Sequence, residues 1–108
     1  MNDKLLIASK IKKTIEYINK SLNNYPHRYI ELKQHIISDM FTLLEYCYTA
    51  NINIDSNKHK SLCIVKIKMI DYYLKLSYKN ELISIKKYES ICKHLIEITK
   101  MIYSWREV

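Results

Sequence analysis

Three lysines, Lys68, Lys75 and Lys79, recur at intervals that place them within about 40° of one another on an α-helix. A line of ammonium groups at that spacing can follow the phosphates of a nucleic-acid strand, adding affinity without reading sequence. Between Lys58 and Lys79 six lysines stand against one acid, Asp71, the densest charge in the chain. Lys58, Lys60, Lys68, Lys75 and Lys79 are therefore the candidate residues for contact with nucleic acid or another anionic partner. The plainer alternative is the solvated flank of an amphipathic helix.

Other reactive residues combine less well. Asp55, His59 and Cys63 are spaced by four, a ligand-like pattern, but no fourth residue completes a structural zinc site, so no metal is expected. Arg28 and His35, seven apart in "RYIELKQH", would share one helical face. That pair resembles the Arg-x(4–6)-His pattern of helical ribonucleases of the HEPN superfamily, in which both residues assist attack by a ribose 2′-hydroxyl. Here Tyr29 directly follows the Arg, where those enzymes favour a polar residue. No Ser/His/Asp or Cys/His order is recognisable, and the carboxylates are too scattered to form an acid/base pair. No catalytic residue and no cofactor are assigned.

The elements that must carry these residues are helical. The chain has no Gly and a single Pro, which disfavours hairpins and removes Walker and dinucleotide-binding loops. Apolar periodicity predicts one helix over about Asn2–Leu22, with Leu5, Ala8, Ile11, Ile15, Ile18 and Leu22 on one side. "NNYPHR" interrupts it, because Pro26 lacks an amide hydrogen and disfavours helix at the residue before it. A second helix follows from about Arg28 to Asn51 along Tyr29, Leu32, Ile36, Met40, Leu43, Leu44 and Cys47. Asp55 or Ser56 would cap a third helix reaching about Tyr78, and Ser84, after "KNEL", a fourth ending near Trp105. Short connectors make neighbours antiparallel, so the expected fold is an all-α, up-down-up-down four-helix bundle, a single domain over residues 1–108.

The third helix carries two apolar stripes. Leu62, Val65, Met69, Tyr73 and Leu76 are expected to face the core. Cys63, Ile67, Ile70 and Leu74 form the second, for which burial in a subunit interface is expected. On the fourth helix Tyr88, Ile91, Cys92, Leu95, Ile98 and Ile102 read as core, and Lys93 between Glu89 and Glu97 as surface ion pairing.

Charge and cysteine usage set the setting. The 18 basic and 11 acidic residues give a net +7, suited to an anionic partner or simply to solubility. Three dispersed cysteines, Cys47, Cys63 and Cys92, suit free thiols in a reducing cytoplasm. "MNDKLLIASKIKK" lacks the features of a signal peptide, and no apolar run approaches membrane-spanning length, so a cytoplasmic protein without membrane contact is expected.

Three pieces together carry a family resemblance: "YPHRYIELKQHI", "KIKMIDYYLKLSYKNELIS" and "SIKKYESICKHLIEITKMIYSW". They resemble the aromatic-Pro-basic start of the second helix, the basic third helix, and the Ser, Tyr, Leu-x-Glu-Ile and terminal Trp run of the accessory variability determinant family of diversity-generating retroelements. The last run corresponds to Ser84, Tyr88, Leu95, Glu97, Ile98 and Trp105, and the likeness extends over roughly Leu22–Arg106. The family usually has a Gly pair before the Trp. This chain has Tyr103 and Ser104, so its last turn should stay helical. A four-helix family encoded by intervening sequences in bacterial ribosomal RNA genes is a close competitor.

The resemblance implies a basic homo-oligomer, a pentamer, without an active site of its own. Its partners would be a reverse transcriptase and nucleic acid, RNA and/or DNA, in mutagenic copying of template RNA into cDNA.

Overall fold

The structure is a computed structural model that describes residues 3–53 and 57–105. Four α-helices follow one another, α1 (Asp3–Ser21), α2 (Ile30–Ile52), α3 (Asn57–Lys79) and α4 (Ile85–Ser104), and the described residues contain no strand. The expected caps of α3, Asp55 and Ser56, lie outside the described residues.

Local chemistry sets the boundaries. After α1, Asn24 takes a left-handed φ of 66°, which Asn tolerates better than most residues. Pro26 then leads into a single 3-10 turn, His27–Tyr29, closed by Tyr29 N–H donating to Pro26 O at 2.8 Å. Ser84 caps α4 as expected, its Oγ accepting from Lys87 N–H at 3.0 Å. Tyr103 and Ser104 are the last two residues of α4, so the final turn stays helical without the Gly pair.

The α3–α4 turn is tighter than "KNEL" suggested. Leu82 N–H donates to Ser77 O at 2.9 Å and Glu81 N–H to Tyr78 O at 3.0 Å, the two crossed bonds of a Schellman ending. The left-handed position of that motif usually belongs to Gly, but here Glu81 holds it at φ 61°.

Each helix packs backbone to backbone on two neighbours: α1 on α2 and α4, and α3 on α2 and α4. Cys47 Sγ, late in α2, donates to Lys4 O, early in α1, at 3.0 Å. Tyr29 donates to Asn80 Oδ1 at 3.2 Å, joining the start of α2 to the end of α3. Tyr17 and Ser90 hydrogen-bond between the end of α1 and the start of α4. These pairs are compatible with antiparallel neighbours.

The core contains Ile7, Ala8, Ile11, Ile18 and Leu22, then Ile36, Met40, Leu43, Cys47 and Ala50 from α2, and Ile91, Leu95, Ile98 and Ile102 from α4. Leu5, expected inside, is 44% exposed, and Ile7 is buried in its place. From α3 the core takes Cys63, Ile67, Ile70 and Leu74. This corrects their assignment to a subunit interface: Cys63, Ile70 and Leu74 have no exposed surface and Ile67 only 7%. The opposite stripe lies outside, with Val65 55% and Met69 37% exposed and Leu62, Tyr73 and Leu76 half-buried. The lysines decide between the two faces. Burying Cys63, Ile67, Ile70 and Leu74 turns the Lys68–Lys75–Lys79 line roughly 130° from the core, whereas burying the other stripe would leave it only about 100° away. Solvation of three ammonium groups favours the larger angle.

Candidate functional site

The outward ridge of α3 carries the site. Lys68, Lys75 and Lys79 are all exposed and spread over three turns, a rise of about 16 Å. Lys75 Nζ lies 3.3 Å from Asp71 Oδ2, a partly exposed i,i+4 pair whose attraction is weakened by solvent. Asp71 is held on its other side by the Tyr88 hydroxyl, which donates to Oδ1 at 2.8 Å. Lys68 and Lys79 enter no ion pair among the described residues.

Two lysines of the candidate set stand apart. Lys58 is exposed in the first turn of α3, about 15 Å of rise from Lys68 and some 80° around the helix. Lys60 is turned inward, its Nζ donating to the carbonyls of Tyr103 and Trp105 at 3.4 Å each. Its ammonium also lies 5.6 Å from the Trp105 ring centre. Lys60 thus serves the C-terminus of α4, where free carbonyls attract a cation, and is removed from the exposed basic surface.

Trp105 acquires a clear position from this. The ring is 4% exposed, and the buried Lys4 ammonium also lies 5.6 Å from its centre. The indole closes the bundle end formed by the starts of α1 and α3, with two cations against its π-system.

Tyr72 went unnoticed in the sequence. It is 53% exposed, one turn after Lys68 and one turn before Lys75, on the same ridge. Its ring is tilted against Tyr73 at 5.9 Å, and Tyr73 in turn stacks on His35 at 5.3 Å. The available signal was an aromatic at i+4 and i−3 from two lysines, masked by the expectation that neighbouring Tyr73 pointed inward.

A groove of about 520 Å³ runs between α3 and α4, lined by Ile67, Lys68, Asp71, Tyr88, Cys92, Leu95 and Ile96 among others. Burial pushes the Cys92 thiol up to about 11, so it is protonated at neutral pH, and burial followed by the bond to Asp71 raises Tyr88. A second apolar surface is the outer ridge of α2, where Phe41 is 51%, Tyr48 38% and Ile52 81% exposed.

The remaining candidates do not come together. Arg28 lies in the 3-10 turn before α2, its guanidinium 5.1 Å from the Tyr29 ring, while His35 sits in α2 against Tyr73. The helical periodicity that would align Arg28 with His35 does not extend through Arg28. Cys63 is a core thiol raised to about 12 by burial, and Asp55 lies outside the described residues. Among the described residues no three His, Cys, Asp or Glu side chains gather closely enough to hold a metal ion. No described helix is long and apolar enough to cross a membrane.

No family model, no curated protein and no solved structure matches the chain.

Proposed function

We propose that this chain is a non-enzymatic accessory protein of a retroelement reverse transcriptase, holding nucleic acid on a basic surface while binding the enzyme. The observation that carries the reading is the exposed Lys68, Lys75 and Lys79 line on α3, set far from the core. Cations so placed hold phosphates by charge, tolerate many sequences, and need no reactive side chain. The likeness of three segments to the accessory variability determinant family supplies the partner: a reverse transcriptase acting on template RNA and its cDNA, in the cytoplasm.

The bundle in this reading runs up-down-up-down and assembles into a closed homo-oligomer, a pentamer by the same likeness. With Cys63, Ile67, Ile70 and Leu74 in the core, subunit contact falls to other apolar surfaces. The α2 ridge of Phe41, Tyr48 and Ile52 points about 100° or more from the His35–Asp39 edge that meets α3, so it does not share a face with the α3–α4 groove. Ridge-into-groove contact between copies would be head-to-tail, the type that closes into rings.

The test is co-expression with the reverse transcriptase of a diversity-generating retroelement. The two proteins should co-purify, and the purified chain should leave single-stranded RNA intact. RNA cleavage that disappears in His35→Gln, without association with the enzyme, would replace this reading with a ribonuclease.

A further inference from the structure

We infer that the α3 ridge is built for single-stranded nucleic acid, with Tyr72 as the platform on which one unpaired base stacks. The inference rests on the nucleic-acid reading above and adds the form of the ligand. Duplex and single strand both offer phosphates to a lysine line, but only an unpaired base offers a free π-face. Tyr72 stands inside that line, with Lys68 one turn before it, Lys75 one turn after and Lys79 a turn beyond.

The ring is also held ready. It is 53% exposed, yet backed by Tyr73, which is fixed by its stack on His35. A base laid on the outer face meets an aromatic already in contact with Tyr73 on one side. The one acid next to it in sequence, Asp71, points about 100° around the helix and is engaged by Tyr88 and Lys75. Lys68, Lys75 and Lys79 line one side of the ring and Met69 and Leu76 the other, a pairing that suits a strand offering phosphates beside the apolar face of a base. The strand would run along α3, its backbone on the lysines and one base turned onto Tyr72.

The probe is a fluorescein-labelled oligouridylate of about 20 nucleotides, longer than the footprint of one such groove, beside a duplex of the same length. Anisotropy titrations over a salt series separate the two kinds of contact. Tyr72→Ala should weaken the oligouridylate about tenfold at every salt concentration, shifting the plot of log K against log salt in parallel. Duplex affinity should stay within about twofold, because phosphate contacts are untouched. Tyr72→Phe should bind like wild type, since the ring face and not the hydroxyl is used. If Tyr72→Ala binds the oligouridylate normally while Lys68, Lys75 and Lys79 changed together to Gln weaken it, stacking is overturned and the nucleic-acid reading survives. Equal losses on single strand and duplex also overturn it. Wild-type protein that binds neither probe removes both ideas, whereas a Tyr72→Ala variant that loses only the reverse transcriptase overturns the stacking alone and makes the ring a protein contact.

Discussion

Ile70→Glu tests whether the inner stripe of α3 is core or interface. Ile70 has no exposed surface and sits in the central cluster with residues from all four helices. Losing its packing costs about 2–5 kcal/mol, on the scale of Ile→Ala changes in cores. The new carboxyl must also be kept neutral there, and protonating a Glu of unfolded pKa about 4.3 at neutral pH adds about 3–4 kcal/mol, however far burial raises its folded pKa. The sum, roughly 5–9 kcal/mol, is comparable with the whole stability of an ordinary domain, about 5–15 kcal/mol. Far-ultraviolet circular dichroism should therefore show loss of helix or a collapse of Tm. Phe41→Glu, at a 51% exposed ridge position, should leave the helical signal intact and reduce the mass seen by light scattering. An Ile70→Glu protein with wild-type helix content and Tm but the mass of a single chain would refute the assignment and return the interface to α3.

Other expectations follow from single features. Lys68, Lys75 and Lys79 changed together to Gln should flatten the slope of log K against log salt by about 2 units on a single strand and up to about 3 on a duplex; an unchanged slope would assign the charge to solubility. Glu81→Gly should raise stability by about 0.5–1 kcal/mol, a Tm gain of a few degrees, because Gly adopts the left-handed φ without penalty and a carboxylate leaves the C-terminus of α3; no gain would mean the turn holds Glu81 without strain. His94, 3.1 Å from Lys10 Nζ with Glu97 also paired to Lys10, has its pKa lowered by burial first and Lys10 second. The folded state therefore resists protonation, and the stability this represents is full above the ordinary His pKa and lost as pH falls through it toward the lower folded value. Denaturant titrations from neutral to mildly acidic pH should show this decline flattened in His94→Gln.

Helix existence and most boundaries were legible because each is written locally. Pro26 breaks the chain, Ser84 carries its own cap, and the α2 and α4 stripes supply core residues as expected. The facing of α3 was harder, since two stripes of equal spacing compete and the choice depends on the solvation of lysines between them. The polar Ser77, fully buried at the end of the inner stripe and donating to Tyr73 O at 3.0 Å, further disguised that face. Lys60 illustrates a different limit. Its charge was visible, but its direction is set by carbonyls 43 and 45 residues later in the chain. The strained Glu81 was equally hidden, because a Gly-free sequence must place some other residue where a helix ends in a left-handed turn.

The closed end around Trp105 gives the molecule an optical label of its own. Trp105 is the only tryptophan among ten tyrosines, so light that excites indole selectively reports one location. That location brings together the first residue after α4, Lys4 near the start of α1 and Lys60 near the start of α3. Emission therefore follows separation of these chain ends, while circular dichroism follows the helices along their whole length. If the bundle frays from this end, indole emission should shift to the red at lower denaturant than the helical signal falls. If the four helices come apart as one unit, the two curves should superimpose.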